Sequence, residues 1–250
     1  MFINPAGLVG DRDNASAIFG KQTLFDLNYF SHIYAGVKLK VPYLGIIGLS
    51  LDNLSTKYKS RNLANEQSLG IHQGFFLQND DNSSLAFGYS LNSYTVDYGQ
   101  SAGTNGDGTN GIDLGNHQIF GLSFGLQATL REKIKFGAKV NNLNRPSIGE
   151  ANNESYLPRR MQVGLAYSPY NLVWTTLAVN HSVGFPSQAQ AGLHYKLYKN
   201  FHLSSGIQTN PNRFSAGTSF IFKSIKIDYA FITHPILSVT QQLSIEVIRK

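Results

Sequence analysis

A period-two alternation of apolar and polar residues runs through almost the whole chain, and it limits the fold more than any other feature. In residues 120–130, Phe120, Leu122, Phe124, Leu126, Ala128 and Leu130 alternate with Gly121, Ser123, Gly125, Gln127 and Thr129. Residues 133–140 set Ile134, Phe136, Ala138 and Val140 against Lys133, Lys135, Gly137 and Lys139. Residues 189–197, 225–231 and 237–247 repeat the pattern. Successive side chains of a strand point to opposite faces, so each run has one apolar face and one face of Gly, Ser, Gln, His and Lys.

Turn-forming residues separate the runs at Val41-Pro42, Asn79–Asn82, Arg131-Glu132, Ser168–Asn171, Lys199-Asn200 and Lys223-Ser224. Between them lie longer, more polar connections near 20–26, 58–66, 99–116, 143–157, 184–187, 210–213 and 234–236. Short and long connections alternate to the end of the chain. Counting from a first strand at Asn14–Phe19 gives about fourteen strands, an even number with short turns at one end and long loops at the other, the plan of outer-membrane barrels. Most runs have roughly ten residues, above the soluble mode of about 5–6 and matching the roughly 9–11 that cross a bilayer at a tilt. In hydrocarbon every backbone N–H and C=O must be paired, so such a sheet has to close on itself.

Composition agrees. Charged residues are 14% of the chain, against about 25% in an average soluble protein, while the hydrophobic share is an ordinary 42%. A surface facing lipid on one side leaves only lumen, rims and loops for charge. No stretch of 18 apolar residues exists, which excludes a helical membrane bundle, and zero cysteines exclude disulfide scaffolds and thiolate metal sites. The formal charge of +6 comes from scattered Lys and Arg rather than a basic patch, so no nucleic-acid partner is expected. Met1-Phe2-Ile3 lacks the basic and apolar regions of a secretory signal, as expected of a cytoplasmic, mature or trimmed chain. Tyr29, Tyr34, Tyr43, Tyr89, Tyr94, Tyr98, Tyr167, Trp174, Tyr195 and Tyr229 fall mostly near strand ends, as interfacial girdles require.

Chemistry-bearing motifs are sparse. The seven histidines form no HxxxH or HExxH pair, and there is no GxSxG elbow or SxxK box, so no catalytic residue, cofactor or metal is expected. The loop from Gly103 to Asp113 resembles a calcium loop but has Asn116 where the twelfth-position acidic ligand belongs. Long loops are more often functional than idle, so Asn105, Asp107, Asp113, Arg145, Glu150 and Glu154 are the candidate partner-binding residues. Asn4 and Pro5, in a Pro/Gly turn ahead of the first strand, are a candidate plug at the lumen mouth. At Leu91–Tyr94 the apolar phase slips from odd to even positions, which makes Asn92 and Ser93 a candidate strand break.

Several segments carry a family resemblance. Asn4-Pro5-Ala6-Gly7-Leu8 resembles the start shared by FadL-like barrels and PorV/PorQ-type outer-membrane proteins, and Gly111–Gly115 resembles that group's step into a mid-barrel strand. Val140–Pro146, Leu157–Arg160 and Val163–Tyr167 are similar to a further family segment, and Asp228–Phe231 with His234, Pro235 and Leu237 to its penultimate hairpin. Ser238 and Gln241 stand where the family tends to have Gly and His, and the chain ends without a terminal aromatic residue. The resemblance implies a fourteen-stranded barrel. PorV-type members bind cargo in type IX secretion; FadL-type members pass hydrophobic molecules sideways through a kinked strand behind an N-terminal hatch, for which the residues ahead of the first strand look too few.

The expectation is therefore an all-β chain: a closed antiparallel transmembrane β-barrel of about fourteen strands, FadL-like, in the bacterial outer membrane. Residues 1–13 are expected to be a short periplasmic segment or small plug, and residues 14–250 a single barrel domain. The main expected function is a non-enzymatic, PorV-like component of a type IX secretion or surface-assembly complex, binding other outer-membrane or secretion-complex proteins through loops 99–116 and 143–157. The alternative is a FadL-like transporter of small hydrophobic molecules. Membrane lipid is a partner on either reading.

Overall fold

A strand with one apolar face is stable only where that face leaves water, and here fourteen of them do so by turning it outward. The computed structural model describes residues 3–10, 13–58, 61–106, 110–148 and 154–249. In chain order the strands are β1 (Ala15–Thr23), β2 (Phe30–Val41), β3 (Gly45–Tyr58), β4 (Arg61–Asn79), β5 (Ser83–Asp97), β6 (Asn116–Leu130), β7 (Ile134–Asn141), β8 (Ser147–Ile148), β9 (Ser155–Tyr156) and β10 (Arg160–Tyr170). They continue as β11 (Val173–Ser182), β12 (Gln188–Tyr198), β13 (Phe201–Gln208), β14 (Arg213–Phe222), β15 (Ile225–Ile232) and β16 (Thr240–Arg249). All but β8 and β9, which form a separate two-stranded hairpin, make one closed barrel. Every barrel strand pairs antiparallel with its neighbours in sequence; β7 skips the hairpin to pair with β10, and β1 closes the ring on β16.

The barrel is inverted relative to a soluble core. Leu49, Leu69, Phe120, Leu165, Leu177, Ile207 and Ile245 lie on seven different strands and are all exposed on the outside. Among the described residues, the charged side chains in the outward phase are Lys21, Lys57, Asp97 and Arg249, each close to a strand end. Between the rims the outer wall is therefore uncharged and apolar, as a lipid-facing surface must be. Among the described residues no helix is long and apolar enough to cross a membrane; the strands do the crossing.

Connections at one rim are the short turns 42–44, 80–82, 131–133, 171–172, 199–200 and 223–224, and β1 starts and β16 ends there. The opposite rim carries the long connections, chiefly 98–115 and 142–159. Two expected loops are in fact strand. β1 continues through Lys21, Gln22 and Thr23, and β4 begins at Arg61, so most of 58–66 extends the β3–β4 ladder. At about 3.3 Å per residue β4 is roughly 60 Å long, far more than a tilted crossing of a hydrocarbon layer about 30 Å thick requires. Above the lipid a strand is held by its ladder and needs no apolar face, which is why polar Asn65–Ser68 remain extended. The expected aromatic girdle also divides. Tyr43, Tyr89, Tyr167, Tyr195 and Tyr229 are exposed, whereas Tyr34, Tyr94 and Trp174 point into the lumen, where Gln242 and Asn142 bond the first two and Lys135 covers the third.

Candidate functional site

The buried hydrophobic residues of the described chain number five: Ala6, Leu8, Val9, Ile46 and Ala86. Three of them belong to one 3-10 turn, Pro5–Gly10, which lies inside the barrel against β3, β4, β5 and β6. Asn4 fixes its start. The Asn4 side-chain oxygen accepts the Ala6 N–H (3.0 Å), while its Nδ2 donates to the Leu126 carbonyl on β6 (3.1 Å). The wall makes room with glycine. Gly74, Gly88 and Gly125 face each other in register across β4, β5 and β6. A Cβ at Gly88 would lie 2.4 Å from the Ala6 nitrogen, and one at Gly125 2.0 Å from Asn4 Oδ1. Side chains at those positions would occupy the space of the Asn4–Ala6 segment itself. The structure thus places Asn4 and Pro5 in the lumen near the short-turn rim. Facing that rim is a chamber of about 850 Å³, whose lining includes Val9, Ile46, Phe76 and Trp174 together with Lys40 and Lys135.

The expected break at Asn92 and Ser93 is absent. β5 keeps continuous register with β4 and β6 through Asn92↔Gly121 and Ser93↔Phe120. Its outward positions turn polar after Leu91, first at Ser93, still flanked by outward Leu69 and Phe120, and then at Thr95 and Asp97, where the paired outward residues are polar too. An interruption does occur, on the other side of β6. Pairing with β7 stops at Phe124↔Val140, leaving the upper half of β6 without a barrel strand on that side. The segment Asn142–Asn144, just beyond β7, takes the place of that strand. Leu143 N–H donates to the Leu122 carbonyl (2.8 Å), Leu122 N–H to Asn144 Oδ1 (2.9 Å), and Asn144 Nδ2 to the Phe120 carbonyl (2.7 Å). On the lumenal side Asn142 accepts the Tyr94 hydroxyl (3.1 Å) and donates to the Pro158 carbonyl (3.3 Å). Gly121 is required beneath them, since a Cβ there would come within 2.7 Å of both Asn142 and Tyr94. Between Phe120 and Leu122, both outward and apolar, the wall is a seam closed by the Asn144 carboxamide and one backbone bond from Leu143.

The candidate loop residues do not form one cluster. Arg145 stacks on the Tyr156 ring of the β8–β9 hairpin (4.5 Å), and the Tyr156 hydroxyl donates to Glu154, whose carboxylate raises the phenol's pKa. Asp113 lies in the other long loop, where its carboxylate accepts the Gly115 N–H (2.9 Å), and Gln100 bridges to its backbone. Asn105 is exposed in a turn of the same loop. Asp107 and Glu150 lie outside the described residues. Among the described residues no His, Asp and Glu group of metal-binding geometry occurs. Two of the lumenal histidines are hydrogen-bonded on both ring nitrogens: His72 to Ser50 and Ser90 (2.7 and 2.8 Å), His32 to Gln22 and Asp52 (2.7 and 3.0 Å).

No protein-family model and no curated protein matches this chain. Solved structures do resemble it. The CymD monoaromatic hydrocarbon channel superposes with a TM-score of 0.64 at 10% identity, covering 99% of this chain and 91% of that one. A FadL homologue of Pseudomonas aeruginosa gives 0.60 at 10% identity, with 99% and 93% covered. The Pseudomonas putida toluene transporter TodX gives 0.58 at 11% identity, with 99% and 91% covered. At such identities the likeness is one of fold. The chain has the FadL-like architecture of bacterial outer-membrane barrels, fourteen antiparallel strands closed into one ring.

Proposed function

We propose that this protein is a FadL-like transporter that moves small hydrophobic molecules across the outer membrane and releases them sideways through the β6–β7 seam. The observation that carries the reading is that seam: beyond Phe124↔Val140, strand pairing gives way to one backbone bond from Leu143 and the carboxamide of Asn144, which can part without unzipping a ladder. The plug supports it, because a segment seated in the lumen obstructs the straight axial route. Hydrocarbon channels among the structural neighbours favour this reading over a PorV-like one. Docking of a secretion partner is a second reading, resting on the Arg145–Tyr156–Glu154 group at the long-loop rim; nothing in the comparisons bears on type IX secretion. The test is uptake of a small aromatic hydrocarbon by proteoliposomes. Vesicles holding the protein should equilibrate faster than empty ones, and equal rates would refute transport.

A further inference from the structure

The outer wall is not evenly filled. On β12–β15 the outward phase sets Leu193, Leu203, Tyr229 and Phe231 around the smaller Ala216 and Thr218, in the register Leu203↔Thr218↔Tyr229 and Ser205↔Ala216↔Phe231. The small residues leave a groove of about 510 Å³ on the lipid-facing side. From Thr218 to Lys223, in the turn after β14, is roughly 17 Å of tilted strand at about 3.3 Å per residue, so the groove lies in the half of a hydrocarbon layer about 30 Å thick that adjoins the short-turn rim. Short turns of outer-membrane barrels face the periplasm, which puts the groove in the periplasmic leaflet.

Charge stands at the rim beneath it. Lys199 in the β12–β13 turn and Lys223 in the β14–β15 turn are both exposed, and the turns are two strand spacings apart, roughly 10 Å. The Ile221 N–H donates to the Asn200 carbonyl (2.8 Å), tying the first turn to β14. The Lys223 ammonium lies over the Phe222 ring (5.4 Å), which is outward and exposed, so this charge is held on the lipid side of the rim. From Gln188 to Ile232 the one carboxylate is Asp228, which is lumenal and pairs with Lys226 (2.9 Å); Glu246 of the adjoining β16 is lumenal as well. We propose that the groove and the two turns form a site for one anionic phospholipid of the periplasmic leaflet, with an acyl chain in the groove and the phosphate between Lys199 and Lys223. Lysines beside a membrane surface attract anionic headgroups, and the groove offers hydrocarbon an uncharged seat. A second copy of the chain fits worse, because a two-fold contact on this face would set two further lysines against these and bring no carboxylate. The site is independent of the route proposed through the β6–β7 seam.

The experiment is native mass spectrometry of the delipidated protein in detergent, titrated with dioleoyl phosphatidylglycerol or dioleoyl phosphatidylcholine. Phosphatidylglycerol should be retained about tenfold more tightly at low salt, with the gap narrowing as salt rises. Lys199→Gln and Lys223→Gln should each weaken phosphatidylglycerol binding by about fivefold and phosphatidylcholine binding by less. Ala216→Phe, which fills the groove from the lipid side, should weaken both lipids and keep their ratio. Heat-modifiable migration on gels verifies that each variant is folded. Equal retention of the two lipids, or retention unmoved by these substitutions, would overturn the proposal. So would displacement of the lipid by glycerophosphoglycerol, the headgroup without its chains, since the groove would then play no part. A dimer that Ala216→Phe dissolves would assign the face to a second copy and overturn it as well.

Discussion

Gly88 and Gly125 show how much of this molecule depends on side chains that are missing. Neither has a positive φ, so turn geometry does not demand them; the space above them is taken by Ala6, Pro5 and Asn4. Gly88→Leu should therefore expel the plug while leaving the ladder paired, at a local cost of about 1–3 kcal/mol. A cysteine introduced at Ala6 should react with a maleimide at least about tenfold faster in that background, since 1.4 kcal/mol is a factor of ten; an unchanged rate would mean that the plug is not seated there. Asn4→Ala should act in the same direction and more weakly, by about 1 kcal/mol, through loss of the bonds to Leu126 and Ala6. The turn at Asn4-Pro5 is legible in the sequence. Its seat is not, because Gly74, Gly88 and Gly125 become neighbours only once the strand register is known.

Among the strands, β5 and β6 explain why a phase slip is an ambiguous signal. Outward Leu85, Phe87, Tyr89 and Leu91 give way to Ser93, Thr95 and Asp97 with no change of pairing. A slip marks either a bulge or the height at which lipid ends, and sequence alone does not separate them. Tryptophan placed at Leu91 should be quenched by brominated lipid, whereas tryptophan at Thr95 should not; equal quenching would put the membrane boundary elsewhere. In the same samples the amides of Asn92 and Ser93 should exchange as slowly as those of their paired neighbours. The real interruption is hidden for a different reason. Asn142 and Asn144 read as ordinary turn residues, yet the Asn144 carboxamide supplies bonds to β6 that a missing strand would have made, and the Asn142 carboxamide ties Tyr94 to Pro158 beside it. Asn144 bonds back across its own β6–β7 hairpin to Phe120 and Leu122, while Asn142 reaches Tyr94 of β5, and neither pairing is encoded in local patterning. Asn144→Ala should loosen the seam by about 1–2 kcal/mol and speed hydrocarbon uptake.

Across the barrel as a whole, the alternation that organises the sequence also sets which substitutions the protein bears. Leu165 lies mid-strand on the outer face of β10, and Gln162 on the lumenal face of the same strand. Leu165→Arg should destabilise the folded barrel in lipid by about 2–4 kcal/mol, and Gln162→Arg by far less; similar costs in urea unfolding from vesicles would contradict the inside-out arrangement. Fold class, strand number and sidedness are readable because lipid enforces period two on every crossing strand. The proposed function is less so, since it rests on an N-terminal segment in the lumen and a seam built from a few small and polar residues far apart in the chain. Lateral release is put to the test by joining Leu122→Cys on β6 to Leu143→Cys opposite it, where their backbones are already bonded across the seam (2.8 Å). Hydrocarbon uptake by proteoliposomes should fall to the empty-vesicle rate when that pair is oxidised and return on reduction. Uptake that is insensitive to the cross-link would contradict a lateral route through the β6–β7 seam.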